Sequence, residues 1–203
     1  MNYLAIDTSG KNLTVIIKKG EQVYKYSDPD CGVQHSVELM PRVEELLHKA
    51  DFDLKNADFF ACVVGAGSFT GIRIGVATVK AMCFAYSKPC LAITSFDTLA
   101  YNKKGGKVLA LIDAKHNGFY ACGYDNGKVT LEPSYLMREQ VEKIVLDYDK
   151  AVAIADINGF NIEIVSVVDG FEKAIESKLD EISLDIEKLK PLYVRKSQAE
   201  EGR

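Results

Sequence analysis

The chain has 203 residues, 47% hydrophobic and 27% charged, enough apolar material for one large domain or two lobes of about 100 residues and too much for an intrinsically disordered state. Lys and Arg number 25 against 29 Asp and Glu, a net charge of -4, which excludes a self-sufficient nucleic-acid binder. No apolar run reaches the ~18 residues needed to cross a bilayer, and Asp7 breaks the first apolar run before it resembles a secretion signal, so a cytoplasmic protein is expected.

In chain order, residues 2–9 read as a strand, Leu13–Ile17 as its hairpin partner and Glu21–Tyr26 as a third strand. Leu39, Val43, Leu46, Leu47 and Ala50 form one helical stripe, with Pro41 inside it predicting a kink or a late start. Phe59–Val64 is a continuous apolar run, as in a central strand buried on both faces. A glycine-rich turn, Gly65–Gly75, then leads into a helix ending near Tyr86, with Ser68 or Thr70 as its cap, and Cys90–Thr94 reads as a strand. After the loop at Lys103–Gly106 the pattern restarts. Val108–Asp113 and Phe119–Cys122 echo Leu4–Asp7 and Leu13–Ile17, each half placing an Asp at the end of its first strand. Residues 139–147 read as helical, 151–155 and 162–168 as strands, and 171–179 as an amphipathic helix. The expected organisation is α/β, two duplicated βββαβα-type lobes with the second degenerate. Lobe boundaries fall at 1–102 and 103–203, with the chain end able to return to the first lobe.

Five cysteines without a CxxC pair predict reduced, structural thiols rather than disulfides or a zinc ribbon. The glycine-rich turn fails as a P-loop because Ile72-Arg73 follows Gly71 where Lys and Ser or Thr belong, and it fits a dinucleotide fingerprint poorly. An anion at the helix N-terminus and a tight turn that needs glycines both stay open. The following helix is apolar nearly all round, so its second side needs either another part of this chain or another protein. His35 has Leu39 rather than His at i+4, which excludes a helical metal pair and leaves helix capping or surface hydrogen bonding. Asp7 and Asp113 are a candidate pair for Mg-phosphate chemistry, set against a plain turn-ordering role. The basic residues at Lys103, Lys104 and Lys107, and at Lys188, Lys190, Arg195 and Lys196, read as solvated surface.

Ala5-Ile-Asp-Thr-Ser9, the stretch from His35 to Pro41, Gly65-x-Gly-Ser-Phe-Thr-Gly-Ile-Arg-Ile-Gly75, Ser95-Phe-Asp-Thr-Leu99 and Pro191-Leu-Tyr-Val-Arg195 together resemble the TsaB (YeaZ) family. Ala66 stands where that family usually has Pro, and Asp113-Ala-Lys-His116 where Asp-Ala-Arg-Met is common. The resemblance implies an actin/sugar-kinase/Hsp70-like (ASKHA) fold and a role in threonylcarbamoylation of the adenosine next to the tRNA anticodon. It implies a chain with no catalytic or metal site of its own, which binds and activates a TsaD-like transferase as a heterodimer. A TsaE-like ATPase joins the larger complex, tRNA is reached through that complex, and ATP or ADP and a metal belong to the partner proteins. A homodimer through the same surface as the partner contact is expected when the partner is absent, and no membrane contact. The implied partner surface lies on the two first-lobe helices, at His35, Leu39 and Met40 on one. On the other it comprises Ser68, Phe69, Thr70, Arg73, Val76, Ala77 and Lys80, where Asp in place of Val76 or Ala77 is expected to abolish the complex and spare the fold. Asp7, Thr8, Ser9 and Asp113 are the candidates for any bound cofactor. The alternative is a stand-alone ASKHA-type ATPase or kinase using Asp7 and Asp113 with Mg.

Overall fold

The computed structural model describes residues 1–195; Lys196 lies outside the described residues. Two compact units divide the chain: Met1–Thr94 with Ile175–Leu192, and Ser95–Ala174 with the segment from Tyr193.

The first unit is built on a mixed five-stranded sheet of β1 (Tyr3–Asp7), β2 (Leu13–Lys19), β3 (Gln22–Asp28), β4 (Phe59–Val63) and β5 (Cys90–Ile93), in the order β3-β2-β1-β4-β5. The β1–β2–β3 ladder is antiparallel and β1–β4–β5 parallel. β1 and β4 are buried along their whole length, as their unbroken apolar sequences predict. Leu4, Ile6, Leu13, Val15, Ile17, Phe60 and Cys62 face two helices across one core. These are α1 (His35–Ala50) and α2 (Phe69–Tyr86), which lie side by side. α1 starts at His35 with Pro41 inside it, so the late start does not occur. Pro41 removes one helical N–H, while Leu39, Val43, Leu46 and Ala50 are buried on the sheet, each contributing about 1–3 kcal/mol of apolar burial. α2 opens at Ser68, whose Oγ accepts the Gly71 N–H at 3.2 Å, and ends where Ser87 turns left-handed, φ 52°.

The last part of this unit is a strap. Ser183 and Cys90 exchange backbone bonds, N–H of Cys90 to O of Ser183 at 2.8 Å and N–H of Ser183 to O of Cys90 at 3.0 Å, which covers the outer edge of β5. Leu189 is fully buried in the shared core, Leu192 N–H donates to Val64 O at 2.7 Å, and Glu187 pairs with Lys80 on α2 at 3.3 Å.

The second unit repeats the sheet: β6 (Lys107–Asp113), β7 (Gly118–Asp125), β8 (Lys128–Met137), β9 (Lys150–Ala153) and β10 (Ile162–Ile164), ordered β10-β9-β6-β7-β8. α4 (Arg138–Ile144) takes the place of α1 in the chain order, and residues 154–161, without a helix, take the place of α2. This is the duplicated ASKHA-type architecture, degenerate in its second half. α3 (Ser95–Ala100) packs on β6, β7 and β9, and Tyr124 Oη donates to Asp97 Oδ1 at 2.9 Å, so the units divide before α3 rather than at residue 102. The expected strand over 162–168 is only β10, since α5 (Val167–Ser177) has already begun. All five cysteines are buried free thiols, and burial pushes Cys83 up to about 12.

Candidate docking surface on α1 and α2

The turn after β1 and the glycine-rich segment form one packed junction. Thr8 Oγ1 donates to Gly71 O at 2.7 Å, and Ser68 N–H donates to Ser9 O at 2.6 Å. A Cβ on Gly71 would sit 2.1 Å from Thr8 O, and one on Gly67 2.1 Å from Ser9 O. No side chain fits there. The glycines therefore let the β1–β2 turn lie on the start of α2, and two of the amides around that start are already bonded within the chain, Ser68 N–H to Ser9 and Gly71 N–H to Ser68. Of the two readings open from the sequence, the tight turn is the one with a geometric basis.

The paired aspartates differ in environment. Asp7 is buried, and its Oδ1 accepts both the Ser9 N–H at 2.8 Å and the Ser9 hydroxyl at 2.7 Å. Burial raises its pKa above the ordinary value, opposed by the Ser9 bonds and by the His35 charge. Asp113 is exposed and gripped by Lys115, N–H to Oδ1 at 2.7 Å and Nζ to Oδ2 at 2.8 Å, which lowers its pKa. Each carboxylate is thus employed two residues downstream in its own unit, the Asx-type turn geometry that Asp supplies at strand ends. His35 is neither a cap nor a surface residue. It is buried, α1 carries no side-chain cap bond, and Nε2 meets Asn12 O at 3.0 Å, so the proton sits on Nε2 because a carbonyl only accepts. Among the described residues no group of three or more His, Cys, Asp or Glu could hold a metal.

The helices turn one face to the core and one outward. On α2, Ile72, Val76, Val79, Met82 and Cys83 are buried, while Thr70, Arg73, Ala77, Ala81 and Ala85 are exposed, with Phe69 at 42% and Phe84 at 80%. Arg73 stacks its guanidinium 3.7 Å from the Phe69 ring centre. On α1, Leu39 faces the core, and Val37 and Met40 point outward at 69% and 44%, preceded by Val33 at 98%. The implied partner residues therefore split. Met40, Ser68, Phe69, Thr70, Arg73 and Ala77 are exposed, Lys80 is half-buried and paired with Glu187, and His35, Leu39 and Val76 are inside the unit. Asp at Val76 would enter the core, so it cannot spare the fold as expected. Val33, Val37, Ala81 and Phe84 are exposed as well, and the stripe through Arg73 and Ala77 continues at this spacing to Ala81 and Phe84.

The family model described as TsaD, tRNA N6-adenosine threonylcarbamoyltransferase, matches residues 29–165. The chain belongs to this family. Within it, the chain is similar to proteins named tRNA threonylcarbamoyladenosine biosynthesis protein TsaB. The Bacillus subtilis protein is 32% identical over 131 residues, 63% of this chain and 57% of that protein. The Escherichia coli protein is 29% identical over 128 residues, 61% and 55% of the two chains. The matched stretch thus spans little more than half the length of these relatives. In fold the chain resembles YeaZ from Pseudomonas aeruginosa, with a TM-score of 0.77 at 22% identity over 95% of this chain and 99% of that one.

Proposed function

We propose that the chain is a non-catalytic accessory subunit of tRNA threonylcarbamoyladenosine formation that binds and activates a TsaD-type transferase. The observation that carries this reading is the outward face of α1 and α2. Val37, Met40, Phe69, Ala77, Ala81 and Phe84 present apolar surface with little charge, the composition of a protein contact rather than of a solvated helix. The relatives' names and the family description support the pathway, and a transferase of that family is the partner we assign to this face. Leu39, buried where a His-x-x-x-His pair would need its second ligand, fits a subunit that leaves the chemistry to its partner. A TsaE-like ATPase joining the pair, and tRNA reached through the complex, complete the proposal. No helix among the described residues is long and apolar enough to cross a membrane.

The test is threonylcarbamoyl transfer to tRNA, reconstituted from the TsaD and TsaE of the same organism with supplied threonylcarbamoyl-AMP, with and without this chain. Transfer that needs the chain, and a partner affinity that falls by about 100-fold or more in Ala77→Asp or Phe84→Asp, are the expected results. Transfer that proceeds equally well without the chain would overturn the reading. Nucleotide hydrolysis by the isolated chain that is lost in Asp7→Asn would move the function to the aspartates.

A further inference from the structure

Across the first sheet α1 lies on β2 and β3, α2 on β4, and the strap on β5. The helix assigned above to docking therefore has the sheet beneath it, α1 on one flank and the strap on the other. The strap meets it at three heights. Leu192 N–H donates to Val64 O at 2.7 Å, and a Cβ on Gly65 would stand 2.8 Å from Leu192 O, so the end of the strap rests on the turn that leads into α2. Leu189 fills a core cluster that it shares with Val79 and Cys83 of α2. Glu187 reaches Lys80 at 3.3 Å, and Lys80 is the helical neighbour of Ala77 and Phe84 on the outward stripe. This hold is slender. Between residues 178 and 192 Leu189 alone is buried, and among the described residues only two backbone bonds with Cys90 and one with Val64 tie the segment to the sheet. A segment fastened by so few groups opens locally at a free energy well below that of its unit. On opening, α2 keeps its sheet and its α1 flank but loses the Leu189 contact, the charge facing Lys80 and the cover on the Val64–Gly65 turn. A partner packing on Ala77, Ala81 and Phe84 must then order the helix itself, and that entropy is subtracted from its affinity.

We propose that the strap is a positioning element of the docking face, so that strap seating and transferase binding favour each other. This rests on the docking reading given above and adds a control to it. No strap residue needs to touch the transferase, and Lys80 acts through Glu187 rather than as a contact of its own. Coupling of this kind is reciprocal. The factor by which an open strap weakens binding is therefore the factor by which bound transferase suppresses opening. A segment about 100 residues downstream of α2 in the chain thereby sets whether the face is ready.

Hydrogen exchange in the unmodified chain reads the coupling directly. The amides of Ser183 and Leu192 are bonded to Cys90 O and Val64 O and exchange when the strap opens. With the TsaD-type transferase of the same organism bound, they are expected to slow at least ~5-fold more than the amides of the β2–β3 ladder, which report on the unit as a whole. Calorimetric titration with that transferase gives the reciprocal. Leu189→Ala is expected to weaken binding at least ~5-fold. Ile16→Ala, a truncation equally deep but on the sheet face away from the helices, is expected to stay within ~2-fold of the parent. Equal slowing at the strap and the β2–β3 ladder, or equal losses of affinity in the two variants, would overturn the proposal by reducing the strap to a source of general stability. Exchange in the parent decides alone if Leu189→Ala does not fold. Ala77→Asp separates the two readings. Binding lost in Ala77→Asp and unchanged in Leu189→Ala overturns the coupling and keeps the docking face, whereas binding unchanged in Ala77→Asp overturns both.

Discussion

Set side by side, the two units separate what the duplicated frame keeps in both copies from what only one of them carries. Both sheets run in one strand order. Between β4 and β5 the first unit inserts a glycine-dependent turn and the 18-residue α2, whereas between β9 and β10 the second has only residues 154–161. The first unit also covers its β5 edge with the strap, whereas among the described residues no backbone bond covers β10. Strand order is thus held by the central ladders, and the parts free to diverge are the crossover and the edge strand it feeds. The crossover is where the docking face is proposed to lie.

The largest break in this comparison should come from Gly71→Val. A Cβ there meets the Thr8 carbonyl, backbone that cannot withdraw without moving β1 off α2, and a loss of about 4 kcal/mol or more is expected in urea unfolding. Val76→Asp should follow, since it places a carboxylate in the core at a cost of about 3 kcal/mol or more. Its neighbour Ala77→Asp should stay within about 0.5 kcal/mol of the parent, so the pair maps the inner and outer faces of α2 by stability alone. Leu189→Ala should cost about 2–4 kcal/mol and make the strap sensitive to limited proteolysis, an effect with no counterpart at β10.

The smallest effects concern the two strand-end aspartates, whose pH dependences should have opposite signs. Asp7 is raised above the ordinary 3.8 in the folded chain, so the folded state keeps a proton that the unfolded state has released. Its contribution is fully present below about pH 3.8 and is lost as pH rises through the raised value. Asp7→Asn should remove that decline while still accepting from Ser9. Asp113 is lowered by Lys115, so its contribution is present above the ordinary value and lost as pH falls through the folded one. Exposure keeps it slight. Carboxyl NMR titration of Lys115→Ala should show the Asp113 midpoint moving up toward the ordinary value.

The duplication was legible because Leu4–Ile6 and Val108–Leu111 are buried, matching apolar runs, each in a strand that ends on an Asp. Ser68 was legible as a cap because its side chain does the local work its sequence position suggests. The orientation of α2 was not. A helix with almost no polar face offers no mark of which side is out, so Val76 and Ala77 look alike until the sheet beneath them is seen. His35 reads as a polar residue before a helix, and only the return of the β1–β2 loop over it, with Asn12 O as its partner, makes it internal. β8 escaped because it is a largely exposed edge strand with Pro133 inside it, and the strap because a single bridge and short 3₁₀ turns carry no period.

The strap also sets an order of events during synthesis. Met1–Thr94 leave the ribosome first, but the segment that fills the Leu189 site and covers β5 comes only after Ser95–Ala174, about 80 residues later. At roughly 5–20 residues per second that interval is about 4–16 s. Throughout it the nascent first unit carries an open sheet edge and an unfilled apolar slot beside α2, the kind of surface that chaperones hold. The unit begun first cannot close until the sheet of the second has been made.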